Sequence, residues 1–546
     1  MFNVAEMLAS QGLPTMSVLT WLLALLPVVV ILVLMLAFKV SGARSGIIAW
    51  VLTGAIVYFV FQGGSDVIAA GTVKGFWSTL FVLFIIWSSM FMYNLVDSTG
   101  AFKTIANKFT EMTNGSRILQ LLILGWAFPT FIQGVCGFGV PVAVATPLLI
   151  GLGFDPLVSC ITALLGHSWG ITFGSLGSSY SVLIQNSPVE QFYPGLTAFW
   201  GSIFIAFGGL IVGFCILHNY GKRVTKNVAG AFKEGTAAVL FLSIVMGAAM
   251  IATCLVSPYV GCFVAGAAGL IAGVLVLPKL PMYKTASAES TEEGTSWGEF
   301  FKAFSAYLIL IVVVFAVYLI KPLKAALEVD MFKLGLAFPE NTLATGFTNA
   351  AVGKYSALKI LTTPGTLIVV SSLLAALGYK GLGMLPEGAM KTSFLKTVKQ
   401  SIGSTTTIIP MTMMAILMTE GGLTQYIAYG IANVAGSFFP LLAPFIGLLG
   451  GFVTSSGTSS NILFTGLQYS VADALKISPA IILAQQTTAS SLSNSFSPAN
   501  CALGTGVSGQ DGREGEILKV TGVYNAIQST LVGILGYILI TMGLGF

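Results

Sequence analysis

Charge is what this chain most lacks. Among 546 residues there are 25 Lys and Arg, 20 Asp and Glu and two His, so charged residues make up only 8%, against about 25% in a soluble globular protein. A soluble fold of this length needs far more charge to stay dissolved. With 55% hydrophobic residues and a mean hydropathy of +0.90, most of the chain belongs in lipid. The formal net charge is only +5, and the basic residues fall in short clusters between apolar runs. That excludes a nucleic-acid footprint and reads instead as membrane topology. Cysteine is also sparse. Cys136, Cys160, Cys215, Cys254, Cys262 and Cys501 all lie in apolar or small-residue stretches without a CxxC pair, so they read as small buried hydrophobes, and neither disulfides nor a metal site is expected. There is no HExxH, no Walker A loop and no GxSxG setting, which argues against an enzyme and against an ATP-driven pump. No cofactor is expected. The N-terminus lacks the basic cluster of a secretory signal, and the apolar run at 17–38 is long enough to remain as a first transmembrane helix.

What the chain has instead is long uncharged runs. Residues 118–154, 421–472, 477–510 and 520–546 contain no Asp, Glu, Lys or Arg. A span takes about 20 apolar residues, so the longer runs hold more than one element. Membrane segments are expected near 17–38, 45–62, 67–96, 117–133, 156–186, 196–218, 235–255 and 257–278. A second set is expected near 303–321, 338–352, 363–379, 397–418, 422–450, 478–506 and 519–545. Between the sets, 279–301 reads as a hydrophilic linker, carrying Lys284, Glu289, Glu292, Glu293 and Glu299 among Ser, Thr and Gly. The expected organisation is thus a first repeat at 1–278 and a second at 302–546. The clusters Lys39/Arg44, Lys103/Lys108/Arg117 and Lys222/Arg223/Lys226 would share one face, the cytoplasmic one by the positive-inside rule.

The two halves share an ordered pattern. A shift of 323 residues brings Gly134 onto Gly457, Pro156 onto Pro479 and Phe173 onto Phe496. In each half a tip of small residues is followed by an apolar run, a proline, and a helix that turns polar and Gly/Ser-rich. Paired interruptions of this kind point to a transporter's binding site. The expected hairpins are near 131–152 and 454–472, and the expected broken helices are 156–186 and 478–506.

The first tip is Gln133-Gly134-Val135-Cys136-Gly137-Phe138-Gly139, followed by Pro141. So many glycines make a poor straight span. They suit backbone that turns within the membrane and aims free N–H groups at a ligand, or alternatively close helix packing. The second tip, Thr454-Ser455-Ser456-Gly457-Thr458-Ser459-Ser460-Asn461, cannot turn all its hydroxyl and amide groups to lipid. Such a run suits coordination of a carboxylate or a small cation. The helix after Pro479 carries Gln485, Thr488 and Asn494, then Ser497 and the breaking Pro498. No Asp or Glu lies in either tip or either broken helix. Neutral donors suit an anion, whereas a cation pump usually needs a carboxylate. His167 is the one titratable group in these elements. It is either a satisfied hydrogen-bonding residue or a proton carrier. His218 beside its basic loop reads as interfacial, and Lys354 as a snorkelling residue between membrane segments.

At these residues the chain resembles the lactate permease family, bacterial carriers of lactate and glycolate. The resemblance rests on FIQGVCGFGVPVAVATPLLIGLGF (131–154), GHSWGITFGSLG (166–177), GTSSNILFTGLQ (457–468) and FSPAN (496–500), and extends loosely over most of the chain. It implies uptake of a 2-hydroxy monocarboxylate with protons across a bacterial inner membrane. It also implies an all-α polytopic fold with two inverted repeats, re-entrant hairpins and an elevator-like motion, and a possible homodimer. Familiar members carry acidic residues where this chain has Gln133 and near Gly457, and a basic residue near Asn494. Together these readings give a candidate substrate site of Gln133, Gly134, Gly137, Gly139, His167, Ser456, Thr458, Ser459, Ser460, Asn461, Gln485, Thr488, Asn494 and Ser497, with His167 as the candidate proton carrier. The alternatives are Na⁺-coupled carriage of other carboxylates and, in a different class, an anion channel.

Overall fold

In lipid a backbone has no partner but itself, so long apolar runs become helices. The computed structural model describes residues 8–38, 40–113, 115–135, 137, 139–283, 294–510 and 513–545. Cys136 and Phe138 of the first tip, Lys39, and residues 284–293 of the expected linker lie outside them.

The first half opens with α1 (Val18–Leu36), α2 (Gly42–Phe59), α3 (Ser65–Asp97) and α4 (Ala101–Glu111). Next, α5 (Arg117–Leu122) runs through a π turn, Ile123–Ala127, into α6 (Phe128–Val135). The π turn precedes Pro129, which has no N–H to give; Phe128 N–H reaches back to the Ile123 carbonyl instead. After the tip come α7 (Val140–Gly151), α8 (Pro156–Ser168), α9 (Ser178–Gln185) and α10 (Val189–Phe192). The half closes with α11 (Leu196–Tyr220), which ends in a second π turn at Gly221–Thr225, then α12 (Val228–Cys254) and α13 (Gly261–Val276).

The second half begins with α14 (Trp297–Leu319), entered through a capping box of Ser296 and Glu299, and α15 (Lys321–Leu327). The segment expected to be a membrane helix at 338–352 is not one. Here β1 (Lys333–Phe338) pairs antiparallel with β4 (Val352–Lys359), and between them β2 (Asn341–Thr342) pairs with β3 (Thr348–Asn349). Pro339, Glu340, Asn341 and a left-handed Gly346 punctuate this stretch, and no apolar run survives long enough to span. The fold is therefore mostly helical rather than all-α, and Lys354 stands exposed on β4 instead of snorkelling between spans. Helices resume with α16 (Pro364–Gly381), α17 (Ala389–Glu420), α18 (Leu423–Ala435), α19 (Phe439–Thr454) and α20 (Gly457–Ala474). The last are α21 (Pro479–Leu492), α22 (Pro498–Ser508) and α23 (Glu514–Thr541).

Among the described residues, eight helices are long and apolar enough to cross a membrane, or nine if the bent pair Ala389–Gly403 and Thr405–Glu420 forms one span. The chain is an integral membrane protein. Among the described residues two large apolar cores and a small cluster of Leu183, Val189, Ala480 and Leu483 hold it together. One packs α5–α8 with α11–α14 around Trp126, Phe131, Trp169 and Tyr307; the other packs α1–α3 with α17–α20. The most extensive packing between two helices is that of α3 on α17. There Lys74 and Glu420 form a buried ion pair with Nζ 2.6 Å from Oε2, and the Lys74 ammonium lies 5.2 Å from the Phe338 ring and 5.4 Å from the Tyr355 ring. The β-hairpin thus lids a charged contact between two helices. The five described cysteines are buried free thiols.

Candidate functional site

Four interruptions build the site. At the first tip α6 ends at Val135, and Gly139, at φ 82°, starts α7 without a side-chain cap. At the second tip Ser455 turns the chain at φ 52° after α19. Ser456 then caps α20, its Oγ accepting the Ser459 N–H at 3.2 Å. The first broken helix stops after α8 in two 3₁₀ turns, Ile171–Phe173 and Ser175–Gly177. Ser175, Leu176 and Gly177 are all left-handed there, at φ 45°, 51° and 74°. For a leucine that conformation costs on the order of 1–2 kcal/mol, a strain typical of ligand sites. The second broken helix stops after α21 in a 3₁₀ turn, Ser493–Phe496, and restarts at Pro498.

The halves meet across these breaks. The restarted helix α22 packs on α7 and α8 of the first half, while α9 packs on α20 of the second. Thr172, in the first break, bonds the Thr487 carbonyl at 3.1 Å, the Thr487 hydroxyl at 2.9 Å and the Ser491 hydroxyl at 2.7 Å. Asn461 Nδ2 donates to the Ser179 carbonyl at 3.2 Å and the Thr487 hydroxyl at 2.9 Å.

Between the two tips and the two breaks lies a cavity of about 70 Å³. Of the candidate residues, Gln133, Gly137, Gly139, His167, Ser456, Thr458 and Asn494 line it. Ile171, Ser175, Ser178, Ser455, Gly457 and Asn500 complete the wall. Ser178 was missed by sequence reasoning, although its place right after a Gly-rich break signals a restarting helix. The other candidates sit behind the wall. Gly134 faces α13, where a Cβ would strike Phe263 backbone. The Ser460 hydroxyl donates to the Gly447 carbonyl at 3.2 Å and accepts from Gln486 Nε2 at 3.2 Å. Gln485 Nε2 donates to the Pro440 carbonyl at 2.9 Å, beside α23. Ser459 gives its backbone N–H to the Ser456 cap, Thr488 is buried among packed helices, and the Ser497 hydroxyl donates to the Asn494 carbonyl at 3.2 Å.

Among the described residues no Asp, Glu, Lys or Arg belongs to the wall. What it offers is helix starts: Gly139 opens α7, Ser178 opens α9, Ser456 and Gly457 open α20, and Asn500 stands in the first turn of α22. The starts of α7 and α9 have no side-chain cap. Their first N–H groups turn back on the chain, Val140 to the Gly137 carbonyl at 3.1 Å and Ser178 to the Ser175 carbonyl, and Pro141 has none to give; what these starts present to the cavity is the positive end of the helix dipole. His167 Nδ1 is 3.3 Å from the Gln133 amide oxygen, which puts the ring proton on Nδ1. Nε2 is buried without a protein partner among the described residues and is the one basic nitrogen of the wall.

An L-lactate permease family model matches residues 20–543. The chain belongs to the L-lactate permease family. It is 27% identical to an L-lactate permease of Streptococcus iniae, over 88% of this chain and 97% of that one. It is 26% identical to a glycolate permease of Escherichia coli (strain K12), over 95% of each chain. An L-lactate permease of Salmonella typhi is 27% identical, again over 95% of each. Among solved structures, the Alcanivorax borkumensis YdaH transporter is similar at a TM-score of 0.49 and 12% identity, covering 88% of both chains. Neisseria gonorrhoeae MtrF also matches with a TM-score of 0.49 and 12% identity, covering 92% of this chain and 95% of its own. The family consists of membrane transporters, so this chain is a permease and not an enzyme.

Proposed function

We propose that this permease carries a short 2-hydroxy monocarboxylate, lactate or glycolate, across the bacterial inner membrane by proton symport. The observation that carries the reading is the meeting of uncapped helix starts at a small cavity without a charged wall residue. A carboxylate is drawn to the positive dipole ends of these helices. Asn494 and the hydroxyls of Ser456, Thr458 and Ser178 are further polar partners for the substrate's oxygens. At about 10–15 Å³ per water-sized group, the cavity suits a two- or three-carbon acid. Relatives bearing the names L-lactate permease and glycolate permease support the same substrate class.

His167 is the proton carrier in this reading. With Nδ1 engaged by Gln133, Nε2 is free to take a proton or to accept the substrate's 2-hydroxyl. The two hairpins and two broken helices, in the same order in each half, are read as inverted repeats dipping from opposite faces. An elevator-like motion would carry the cavity across the bilayer, in a monomer or a homodimer.

Uptake of radiolabelled L-lactate into vesicles reconstituted with the pure protein tests this. An inward proton gradient should drive accumulation several-fold above equilibrium, and an equal Na⁺ gradient should not. Accumulation driven by Na⁺ alone would transfer the coupling to that ion. Large single-channel currents without saturation would replace the carrier by an anion channel.

A further inference from the structure

We propose that the junction of α11 and α23, remote in sequence from the tips, binds the phosphate headgroup of an anionic phospholipid. An open cavity of about 510 Å³ lies there, with His218, Asn219, Lys222, Arg223, Lys519 and Tyr524 among its wall. Three of the six are cations from two helices. Glu516 also borders the cavity, but Arg513 engages it at 2.9 Å and Arg223 lies 3.6 Å away. Among the described residues Lys222 and Lys519 have no acidic partner, which leaves the pocket net positive.

Two further observations point to a ligand. Asn219 is 1% exposed, yet neither its Nδ2 nor its Oδ1 has a hydrogen-bond partner among the described residues. A buried amide left unbonded costs free energy unless something satisfies it. Asn219 also sits at the entrance to the π turn Gly221–Thr225, a local widening common at binding sites. Beside it, Tyr524 and His218 are joined by a 2.7 Å hydrogen bond between the phenol oxygen and Nδ1, so the wall is fixed in place.

The apolar surroundings decide between a lipid and a free anion. From Lys519, α23 continues along one exposed stripe of Val523, Ile527, Ile534 and Ile538, exposed by 58%, 48%, 43% and 46%. Their spacing keeps them on one helix face, descending from the basic cluster into the depth of the bilayer. Inorganic phosphate has no use for that stripe. An acyl chain lies along it, while the phosphate above meets the two lysines, as basic pockets between transmembrane helices do. This inference is independent of which substrate is carried, and needs only that the chain spans a membrane.

The test is native mass spectrometry of the full-length protein in detergent, titrated with phosphatidylglycerol or phosphatidylcholine. Retention of phosphatidylglycerol should exceed that of phosphatidylcholine, and Lys222→Gln with Lys519→Gln should weaken it roughly 30-fold at about a tenfold factor per 1.4 kcal/mol. Asn219→Ala should weaken it as well, and millimolar phosphate should leave it unchanged. Equal retention of both lipids by the wild type overturns the proposal without any variant. Displacement by inorganic phosphate would make the site a free-anion site, and displacement by L-lactate would make it a substrate vestibule. Either result overturns the lipid assignment.

Discussion

At the scale of single residues, the proposed site depends on atoms that are missing. Gly137 has no side chain because a Cβ would come within 2.5 Å of Ser175 Oγ and 3.0 Å of the Gln133 amide nitrogen, filling the wall where a substrate would sit. Gly137→Ala should therefore cut uptake at least tenfold with the protein still folded. Gly151→Ala, where an added Cβ meets nothing within 4 Å, should leave uptake unchanged. Vesicle uptake alongside a detergent melting curve separates the two effects. His167→Gln keeps a polar group but removes the titratable nitrogen. In the proposed mechanism it abolishes proton-driven accumulation while leaving lactate–lactate exchange, read as counterflow of labelled substrate. Loss of both activities together would give His167 a binding role only. Thr172→Val removes a hydroxyl with three partners across the breaks. It should destabilise the fold by about 1–3 kcal/mol, seen as a lower unfolding temperature in detergent.

At the scale of elements, much was legible because glycine and proline punctuate a helical chain physically. Pro156 and Pro479 each open a helix, and Pro498 restarts one, as their sequence positions imply. The pairing of the tips was legible only in outline. The 323-residue shift matches Gly134 to Gly457, yet Gly134 sits inside α6 while Gly457 starts α20. The element that matches the start of α20 is the start of α7, after Gly139; α20 has 18 residues and α7 only 12, so one fixed shift cannot align both tip and proline. Polarity alone also cannot tell a cavity wall from interhelical glue: Ser460, Asn461 and Gln485 are as polar as Ser456 but spend their hydrogen bonds on neighbouring helices. The β-hairpin was hidden by its apolar strands. The Lys74–Glu420 pair was hidden by its separation in sequence, since only the packing of α3 on α17 joins them. Removing one member strands a buried charge, so Lys74→Met or Glu420→Gln alone should cost about 3–5 kcal/mol, and the double variant should recover most of it. Thermal unfolding of the three variants in one detergent checks this.

At the scale of the whole molecule, eight or nine helices among the described residues are apolar and long enough to cross a membrane, and a tip and a helix break from each half line a cavity whose described wall carries no Asp, Glu, Lys or Arg. An elevator-like mechanism needs the hairpin helix α20 to slide against α17. A Cβ built at Gly466 lies 3.5 Å from the Thr419 hydroxyl across that contact, so cysteines at both positions should cross-link on oxidation, stop uptake, and release it on reduction. The claim beneath all of this is that a small carboxylate occupies the space between the two tips. Ser178→Cys, in the wall of that cavity, tests it most directly by its rate of alkylation with a small thiol reagent, with and without millimolar L-lactate. The account predicts that lactate slows the labelling several-fold, while chloride at the same concentration does not. An unchanged rate in a variant whose uptake still saturates with lactate would contradict it.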